Sequence, residues 1–246
     1  MSEQFESPFV PHDVVWDDHK IARYWDYLSK VPTALDNCWS KQVGTALLRY
    51  VARNGALRGR ILDYGCGPGF LVGDLLQMVP DAVIYGVEHS AESVRIVNSQ
   101  FGGHRRFGGV VSAATIPTGF DDDSFDIVFF VETIEHLQPN QRPMVLRELR
   151  RLLHPGGTVV VTTPNEEDMD ASKAICPDCG AMFHVVQHLS SWNQSSLRSV
   201  MEDAGFQTIS CLPTSLRAKP SLIGTILDRL LRKRHLPHLI YLGKAS

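Results

Sequence analysis

Short apolar runs separated by turn-forming residues recur along the middle of the chain. Three of them, at 61–64, 82–87 and 125–131, are rich in branched and aromatic residues, and a fourth at 158–163 follows the turn sequence His-Pro-Gly-Gly at 154–157. Apolar runs of this length are typical of strands that are buried on both faces of a parallel sheet. The pattern therefore predicts buried parallel strands at these four positions.

Apolar residues recur at helical spacing between these runs, over 70–79, 91–100 and 142–153. Because strand and helix alternate, the sequence predicts an α/β fold: a doubly wound, Rossmann-like sheet, mostly parallel, with helices on both faces. Beyond residue 190 the pattern predicts one more helix and two last strands, at 195–204, 206–212 and 239–242.

Segments outside this alternation predict additions to a single domain that spans residues 1–246. Residues 1–55 contain two amphipathic helical patterns and are expected to form an N-terminal helical cap. The polar stretch 165–190 is expected to form a lid on the core at 56–211. The last part, 212–246, holds a basic amphipathic helical insertion before the final strand; residues 221–235 would suit contact with an anionic membrane surface, and packing against the domain or a second copy is the alternative.

Composition limits the classes of function. The chain has 246 residues, 43% of them hydrophobic, which suits one sizeable core. A net charge of −3 gives no overall attraction to nucleic acid, so a nucleic-acid partner is not expected. There is no apolar run of ~18–20 residues for a membrane span, and the polar start lacks a signal-peptide pattern, so we expect a cytoplasmic protein. Five cysteines do not form a disulfide framework.

The sequence ILDYGCGPGF at 61–70 suggests a ligand site at the end of the first core strand. Gly65, Gly67 and Gly69 would form a tight turn into the next helix, where a ligand can approach the backbone. Glycines alone are a weak signal, because ordinary strand-to-helix turns also use them. Glu88 ends the next strand, 25 residues after Asp63, and there a carboxylate can accept both hydroxyls of a ribose. Together they favour a nucleoside-containing ligand.

Four motifs in order resemble the class I S-adenosylmethionine-dependent methyltransferases: DYGCGPG at 63–69, Glu88, SFDIV at 124–128 and LHPGG at 153–157. The resemblance covers about residues 58–211 and implies a seven-stranded sheet with S-adenosylmethionine as cofactor. Where many relatives carry an acidic residue near the adenine, this chain has Ser-Ala-Ala-Thr at 112–115, so adenine contacts are expected from the backbone. The residues that the resemblance implies for the cofactor are Asp63, Gly65, Cys66, Gly67, Glu88, His89, Ala114 and Val131.

A second group of residues follows the 125–131 strand. Glu132, Glu135 and His136 are spaced i, i+3, i+4, which places them on one side of a helical turn. Two carboxylates and an imidazole this close repel each other or shift each other's pKa values unless a cation binds between them. The alternative is that Glu135-His136 simply begins the next helix. The E-x-x-E-H pattern resembles the metal-dependent 2'-O-methyltransferases of small-RNA 3' ends, and it recurs in ubiquinone-biosynthesis O-methyltransferases.

In the small-RNA enzymes a distant histidine precedes a tryptophan by four residues, as His188 precedes Trp192 here. The resemblance thus implies Glu132, Glu135, His136 and His188 as ligands of Mg²⁺, Mn²⁺, Fe²⁺ or Zn²⁺. A cation would stabilise the alkoxide that forms from a hydroxyl. Without a metal, His136 or His188 is the candidate general base. The candidate catalytic residues are accordingly Glu135, His136 and His188.

The sequence CPDCG at 176–180 is typical of a zinc-binding turn, because its two thiolates can point at one ion. There is no second C-x-x-C. Cys176, Cys179 and His184 are therefore a second candidate metal site, with a reduced, solvent-facing turn as the alternative and redox chemistry less favoured.

These observations predict an S-adenosylmethionine-dependent O-methyltransferase that acts on a small molecule or glycan: a saccharide, another vicinal diol or a catechol. RNA 2'-O-methylation is the alternative that the metal motif suggests, and the acidic chain weakens it. A non-catalytic protein that binds the cofactor and a nicotinamide enzyme are the remaining rivals.

Overall fold

A computed structural model describes residues 9–55, 57–216 and 236–246 of the chain. The strands are β1 (His12–Asp13), β2 (Gly59–Tyr64), β3 (Ala82–Glu88), β4 (Phe107–Ser112), β5 (Phe125–Val131), β6 (Leu153–Pro164), β7 (Lys173–Ile175), β8 (Ala181–His184), β9 (Phe206–Thr214) and β10 (His238–Ala245). The helices are α1 (Asp18–Leu28), α2 (Pro32–Asp36), α3 (Trp39–Asn54), α4 (Phe70–Met78), α5 (Ala91–Phe101), α6 (Arg142–Leu152) and α7 (Gln194–Asp203), and a 3₁₀ turn covers Ile134–His136.

Seven strands form the main sheet, in the order β4-β3-β2-β5-β6-β10-β9. All neighbours pair in parallel except β10, which runs antiparallel to β6 and β9. The strand order reverses between β2 and β5, which is where ligands bind in open α/β sheets. The predicted Rossmann-like, mostly parallel seven-stranded fold is confirmed, and the six strands that the pattern predicted lie within β2, β3, β5, β6, β9 and β10.

Buried side chains on the two faces of this sheet form two cores. Leu62, Val128 and Phe130 pack on the face that carries α6 and α7, whereas Ile61 and Phe129 pack on the face that carries α3, α4 and α5. Neighbouring residues of one strand therefore bury opposite faces, as the alternation of side chains along a strand requires. This double burial explains why β2 and β5 are continuous apolar runs.

The edge strand β4 has no counterpart among the predicted apolar runs. Its sequence contains Gly108 and Gly109, and a Cβ at Gly108 would lie 2.1 Å from the ring of Tyr85 on the neighbouring strand. Gly109 has a φ of +114°, beside an irregularity in the pairing with β3. Glycine is needed here so that the tyrosine ring can lie over the strand, and glycine hides the strand pattern.

A small sheet lies apart from the main one, in the order β1-β8-β7. The polar stretch predicted as a lid thus contains a hairpin of β7 and β8, and β1 adds to it in parallel. Trp16 contacts Phe183 of this hairpin with ring centroids 6.4 Å apart. The chain before α1 is consequently joined to the 165–190 segment.

The predicted amphipathic helix at 221–235 lies outside the described residues. Among the helices that the structure describes, none combines the length and the apolar character that a membrane span requires.

Helix α1 is fixed to the beginning of α5 by side-chain hydrogen bonds. Asp26 accepts from the Ser90 hydroxyl at 2.6 Å and from the Glu92 amide at 3.1 Å. The hydroxyls of Ser29 and Ser93 lie 2.6 Å apart. Ser90 is also the N-cap of α5, and its hydroxyl accepts from the Ser93 amide. These bonds hold α1 over the carboxyl end of β3.

Candidate functional site

A cavity of about 1050 Å³ lies beyond the carboxyl ends of β2, β3 and β5. Helix α1 and the 165–190 segment line its outer side, and the strand ends line its inner side. Seven of the eight residues proposed for the cofactor line it: Gly65, Cys66, Gly67, Glu88, His89, Ala114 and Val131.

Two glycines in the loop after β2 have different roles. A side chain at Gly65 would clash with a neighbour, whereas the space next to Gly67 is open. Gly65 has a φ of +82°, and a Cβ there would lie 2.5 Å from the hydroxyl oxygen of Thr133. Gly67 also has a positive φ, +51°, but a Cβ there would meet nothing within 4 Å. Gly65 therefore lets the loop pack on the end of β5, whereas Gly67 leaves free space over the cavity.

Glu88 is buried at the end of β3 and holds the glycine loop. Its carboxylate accepts from the Gly67 amide at 2.7 Å and from the Ser90 amide at 2.8 Å. Burial raises the pKa of Glu88, although these amide hydrogen bonds act in the opposite direction. A carboxylate is thus fixed at the rim of the cavity, next to the loop.

Asp63 is the one cofactor candidate that does not line the cavity. It is buried beneath the loop, and its Oδ2 has no hydrogen-bond partner among the described residues. Burial, and secondly the charge of Glu88, raise the pKa of Asp63 to about 8. This carboxyl therefore stays protonated in neutral solution unless a cationic group comes close.

Glu132 lies near Glu135 but pairs with a histidine outside its motif. It follows β5 with a left-handed φ of +47°, and its Oε2 lies 3.3 Å from Nδ1 of His238 on β10. The ring of His238 in turn contacts Trp39 at 5.1 Å between centroids. The left-handed backbone at Glu132 interrupts the helical turn that the spacing predicted.

Glu135 is completely buried in the 3₁₀ turn after β5. Its Oε2 accepts from the Thr163 hydroxyl at 2.9 Å, while Oε1 has no hydrogen-bond partner in the described chain. Burial and then the nearby charge of Glu132 raise the pKa of Glu135 well above its usual range. A buried carboxylate oxygen without a partner is costly, so this atom is suited to receive a cation or a donor.

His136 directs one nitrogen to the backbone and the other towards Glu135. Its Nδ1 lies 3.3 Å from the carbonyl oxygen of Gln187, which can only accept, so the proton is on Nδ1. Its Nε2 lies 4.0 Å from Oε1 of Glu135. Burial, and then His188, lower the pKa of His136 to about 3. The imidazole is consequently neutral at pH 7, and its approach to Glu135 is not an ion pair.

His188 completes a group of three. One ligand atom each of Glu135, His136 and His188 lies within 4.8 Å of the other two. His188 Nδ1 is 2.5 Å from Oε2 of Glu167. One carboxylate with two imidazoles is a donor set that suits several divalent transition metals. Of the four ligands that the resemblance implies, the structure brings three together and leaves Glu132 beside His238.

The cysteine pair lies at the turn between β7 and β8, remote from the histidine proposed to join it. Cys179 is exposed, and the Cys176 carbonyl accepts from the Gly180 amide in the turn. His184 is buried at the far end of β8, in a second group with Glu167 and His188 whose ligand atoms also lie within 4.8 Å of one another. Neither of the two groups of three found among the described residues contains a cysteine.

Three site residues escaped the sequence analysis: Glu167, Gln187 and His238. Each lies in a segment distant from E-x-x-E-H, and a polar stretch such as NEEDMD around Glu167 has no periodicity that would single out one residue. Gln187 is fully buried with a φ of +58°. The one sequence feature that could have pointed to Gln187 is its position beside His188.

Known proteins resemble the chain in both sequence and fold. A family described as "Methyltransferase domain" matches residues 39–211. The malonyl-[acyl-carrier protein] O-methyltransferase of Legionella pneumophila is 32% identical over 123 residues, 50% of this chain and 42% of that protein. The ubiquinone/menaquinone biosynthesis C-methyltransferase of Geotalea daltonii is 30% identical over 148 residues, 57% of this chain and 58% of that protein. The chain thus spans about half the length of these relatives.

Solved structures share the fold at low identity. A chain from the complex of the Haloferax volcanii Trm112 methyltransferase activator with a methyltransferase aligns with a TM-score of 0.67 and 19% identity, covering 90% of this chain and 97% of that one. The Burkholderia thailandensis 1,6-didemethyltoxoflavin-N1-methyltransferase, solved with S-adenosylhomocysteine, aligns with a TM-score of 0.59 and 14% identity, covering 99% of this chain and 97% of that one. The family match covers well over half of the sequence, and the chain therefore belongs to the methyltransferase-domain family.

Proposed function

We propose that the chain transfers a methyl group from S-adenosylmethionine to a hydroxyl of a small molecule, assisted by a divalent cation held by Glu135, His136 and His188. The observation that carries the proposal is that this group of three opens into the same cavity as the glycine loop and Glu88. Donor and acceptor chemistry would thus share one enclosed space.

The cofactor fits the inner side of the cavity. Glu88 supplies a buried carboxylate for the two ribose hydroxyls, and the space over Gly67 would admit the ligand close to the backbone. Asp63 lies beneath the loop with an unpartnered oxygen, where it would ionise in response to the positive charge of the amino acid part. S-adenosylmethionine, when bound, supplies an electrophilic methyl group on a sulfonium.

A divalent cation fits the second group, because the Glu135 Oε1 is buried without a partner and two imidazoles stand near it. A bound cation would lower the pKa of a hydroxyl that ligates it. The alternative, His136 as a general base, is less favourable since its pKa is about 3 and Nδ1 is engaged with the Gln187 carbonyl. The residues thus support positioning and charge stabilisation more than proton abstraction by His136.

The acceptor class follows from the space and the ligands. Small-molecule pockets generally span about 300–1,000 Å³, and the volume of about 1050 Å³ leaves room for a small acceptor beside the cofactor. A vicinal diol or catechol would offer a cation two neighbouring oxygens. The relatives methylate different atoms by name, O in one case and C in another, so the hydroxyl is proposed on the cation group and not on similarity.

The proposal is tested by methyl transfer from labelled S-adenosylmethionine to a panel of a catechol, a set of saccharides and a short RNA with a free 3' end. Each acceptor is tried with Mg²⁺, Mn²⁺ or Zn²⁺ and with EDTA. We expect transfer to a diol or catechol that EDTA abolishes and that Glu135→Gln lowers at least 100-fold, while S-adenosylhomocysteine binding by Glu135→Gln is unchanged. Transfer to RNA alone would show that the acceptor is RNA and not a small molecule. Transfer unaffected by EDTA would contradict the proposal that a cation assists the reaction.

A further inference from the structure

We propose that Glu167 is a positioning residue that fixes the His188 ring so that its Nε2 faces Glu135 and His136, and that the main-chain carbonyl of Gln187 does the same for His136. This inference rests on the proposed cation group and adds the residues that orient its imidazoles.

The arrangement of His188 follows from its neighbour. Glu167 Oε2 lies 2.5 Å from Nδ1 of His188, and a carboxylate accepts, so the proton is on Nδ1. The lone pair is therefore on Nε2, the only ring nitrogen left to ligate a cation beside Glu135. Glu167 is largely shielded from solvent, with a side-chain exposure of 21%, which limits competition from water for this hydrogen bond.

His136 is oriented in an equivalent way by a backbone group. The Gln187 carbonyl accepts from Nδ1, and the Gln187 side chain returns a hydrogen bond from its amide to the His136 carbonyl at 3.1 Å. The side-chain oxygen of Gln187 also accepts from the Trp25 indole at 2.8 Å. Trp25 of α1 thus holds the fully buried, left-handed Gln187, and its own ring packs edge-on against His136 at 4.9 Å.

His184 carries its proton on the other ring nitrogen, although it belongs to the second group of three, with Glu167 and His188. Its Nδ1 accepts from the amides of Val186 and His188 at 3.4 and 3.3 Å, so its proton is on Nε2. That nitrogen lies 3.5 Å from the second oxygen of Glu167. A protonated nitrogen cannot ligate a metal, so we assign the cation to Glu135, His136 and His188 and give His184 no ligand role.

The test has a readout that needs no cation. In ¹⁵N-histidine-labelled protein, long-range ¹H–¹⁵N spectra identify which ring nitrogen carries the proton. We expect Nδ1–H for His136 and His188 and Nε2–H for His184, and Glu167→Ala should convert His188 to a mixture of tautomers. Finding His188 as Nε2–H in the wild type, or unchanged in Glu167→Ala, would overturn the inference even if a cation binds.

Co²⁺ binding, followed by calorimetry and visible absorption, provides the second readout. Mutation of a residue that orients a metal-binding histidine typically weakens the metal by about 10–100-fold, and we expect this for Glu167→Ala, with less loss for Glu167→Gln, which keeps an acceptor oxygen. His184→Gln is the matched control and should lose little, with thermal melts to confirm folding. If His184→Gln loses Co²⁺ as completely as His188→Ala, Glu167 is a ligand and the inference is wrong. If the wild type binds no cation, the proposed cation site fails, while the tautomer result still decides the role of Glu167.

Discussion

The two sides of the cavity are built in different ways. The side proposed for the cofactor comes from consecutive strand ends, the loop after β2 and the end of β3, which are neighbours in the sheet. The side proposed for the cation combines the turn after β5 with Glu167 and residues 187–188, and Trp25 of α1 supports it from outside. The first side depends on local backbone geometry, whereas the second depends on tertiary contacts between distant segments.

Their electrostatics differ as well. Each side holds a buried carboxyl with a raised pKa, Asp63 on one and Glu135 on the other. The imidazoles of His136 and His188 lie beside Glu135, whereas two backbone amides donate to Glu88 on the cofactor side. A nucleoside and a metal ion are the ligands that these two environments suit, so the two sides should be separable by mutation.

The largest effect is expected for Glu135→Ala. Loss of the only carboxylate in the group of three should weaken Co²⁺ or Mn²⁺ binding by more than about 100-fold, since a direct ligand matters at least as much as the residues that orient ligands. Binding of S-adenosylhomocysteine should stay within about twofold. Calorimetry with each ligand measures both, and a comparable loss of the two ligands would show that the sides are not independent.

Glu88→Gln is expected to show the opposite pattern, with weaker cofactor binding and unchanged cation binding. Hydrogen bonds to a charged group contribute about 1.5–3 kcal/mol, so S-adenosylhomocysteine affinity should fall by about 10–100-fold while cation binding is kept. Because Glu88 also holds the Gly67 and Ser90 amides, thermal melting must accompany the titration. Glu92→Gln, which makes the same change at a carboxylate outside the cavity lining, is the control; equal losses for both variants would deny Glu88 a specific role.

Two glycine variants distinguish folding from binding on the cofactor side. In Gly65→Ala the new methyl group would collide with Thr133 at a positive φ, so we expect a stability loss of about 1–3 kcal/mol. Gly67→Ala meets no atom, so its smaller cost should come with a clear loss of cofactor affinity. Chemical denaturation and calorimetry separate the two effects. Equal destabilisation by both substitutions would contradict the geometry of the loop.

An effect on stability alone, which depends on pH, is expected for Asp63→Asn. The native pKa of about 8 lies above the unfolded value, so the ionised carboxyl destabilises the fold increasingly from about pH 4 to pH 8, and the loss is complete above pH 8. Asparagine removes this loss. The stability gain of the variant should therefore grow through that range, by at most about 1.4 kcal/mol per pH unit, and then level off. A gain that is constant with pH would show that Asp63 is not buried as described.

The sequence predicted the core well because its strands are buried on both faces, so β2, β3 and β5 are continuous apolar runs. It did not predict β4, whose glycines make room for Tyr85 and remove the apolar pattern. The hairpin of β7 and β8 was also missed, since its strands have three and four residues and only a partly buried face.

The residues proposed for the cofactor could be placed at one edge of the sheet for a related reason. Gly65, Gly67 and Glu88 lie at strand ends, so local pattern alone places them at one edge. Glu167 and His238 reach the site through tertiary packing, which no local spacing encodes. The E-x-x-E-H spacing suggested a helical turn with all three side chains together, but the left-handed backbone at Glu132 directs that side chain to His238 instead.

The most direct test of the account is an anomalous difference map from crystals grown with S-adenosylhomocysteine and Mn²⁺. The account predicts the ribose hydroxyls at the Glu88 carboxylate and a single anomalous peak among Glu135, His136 and His188. A nucleoside bound away from Glu88, or a peak between Glu167 and His184 with none beside Glu135, would contradict it.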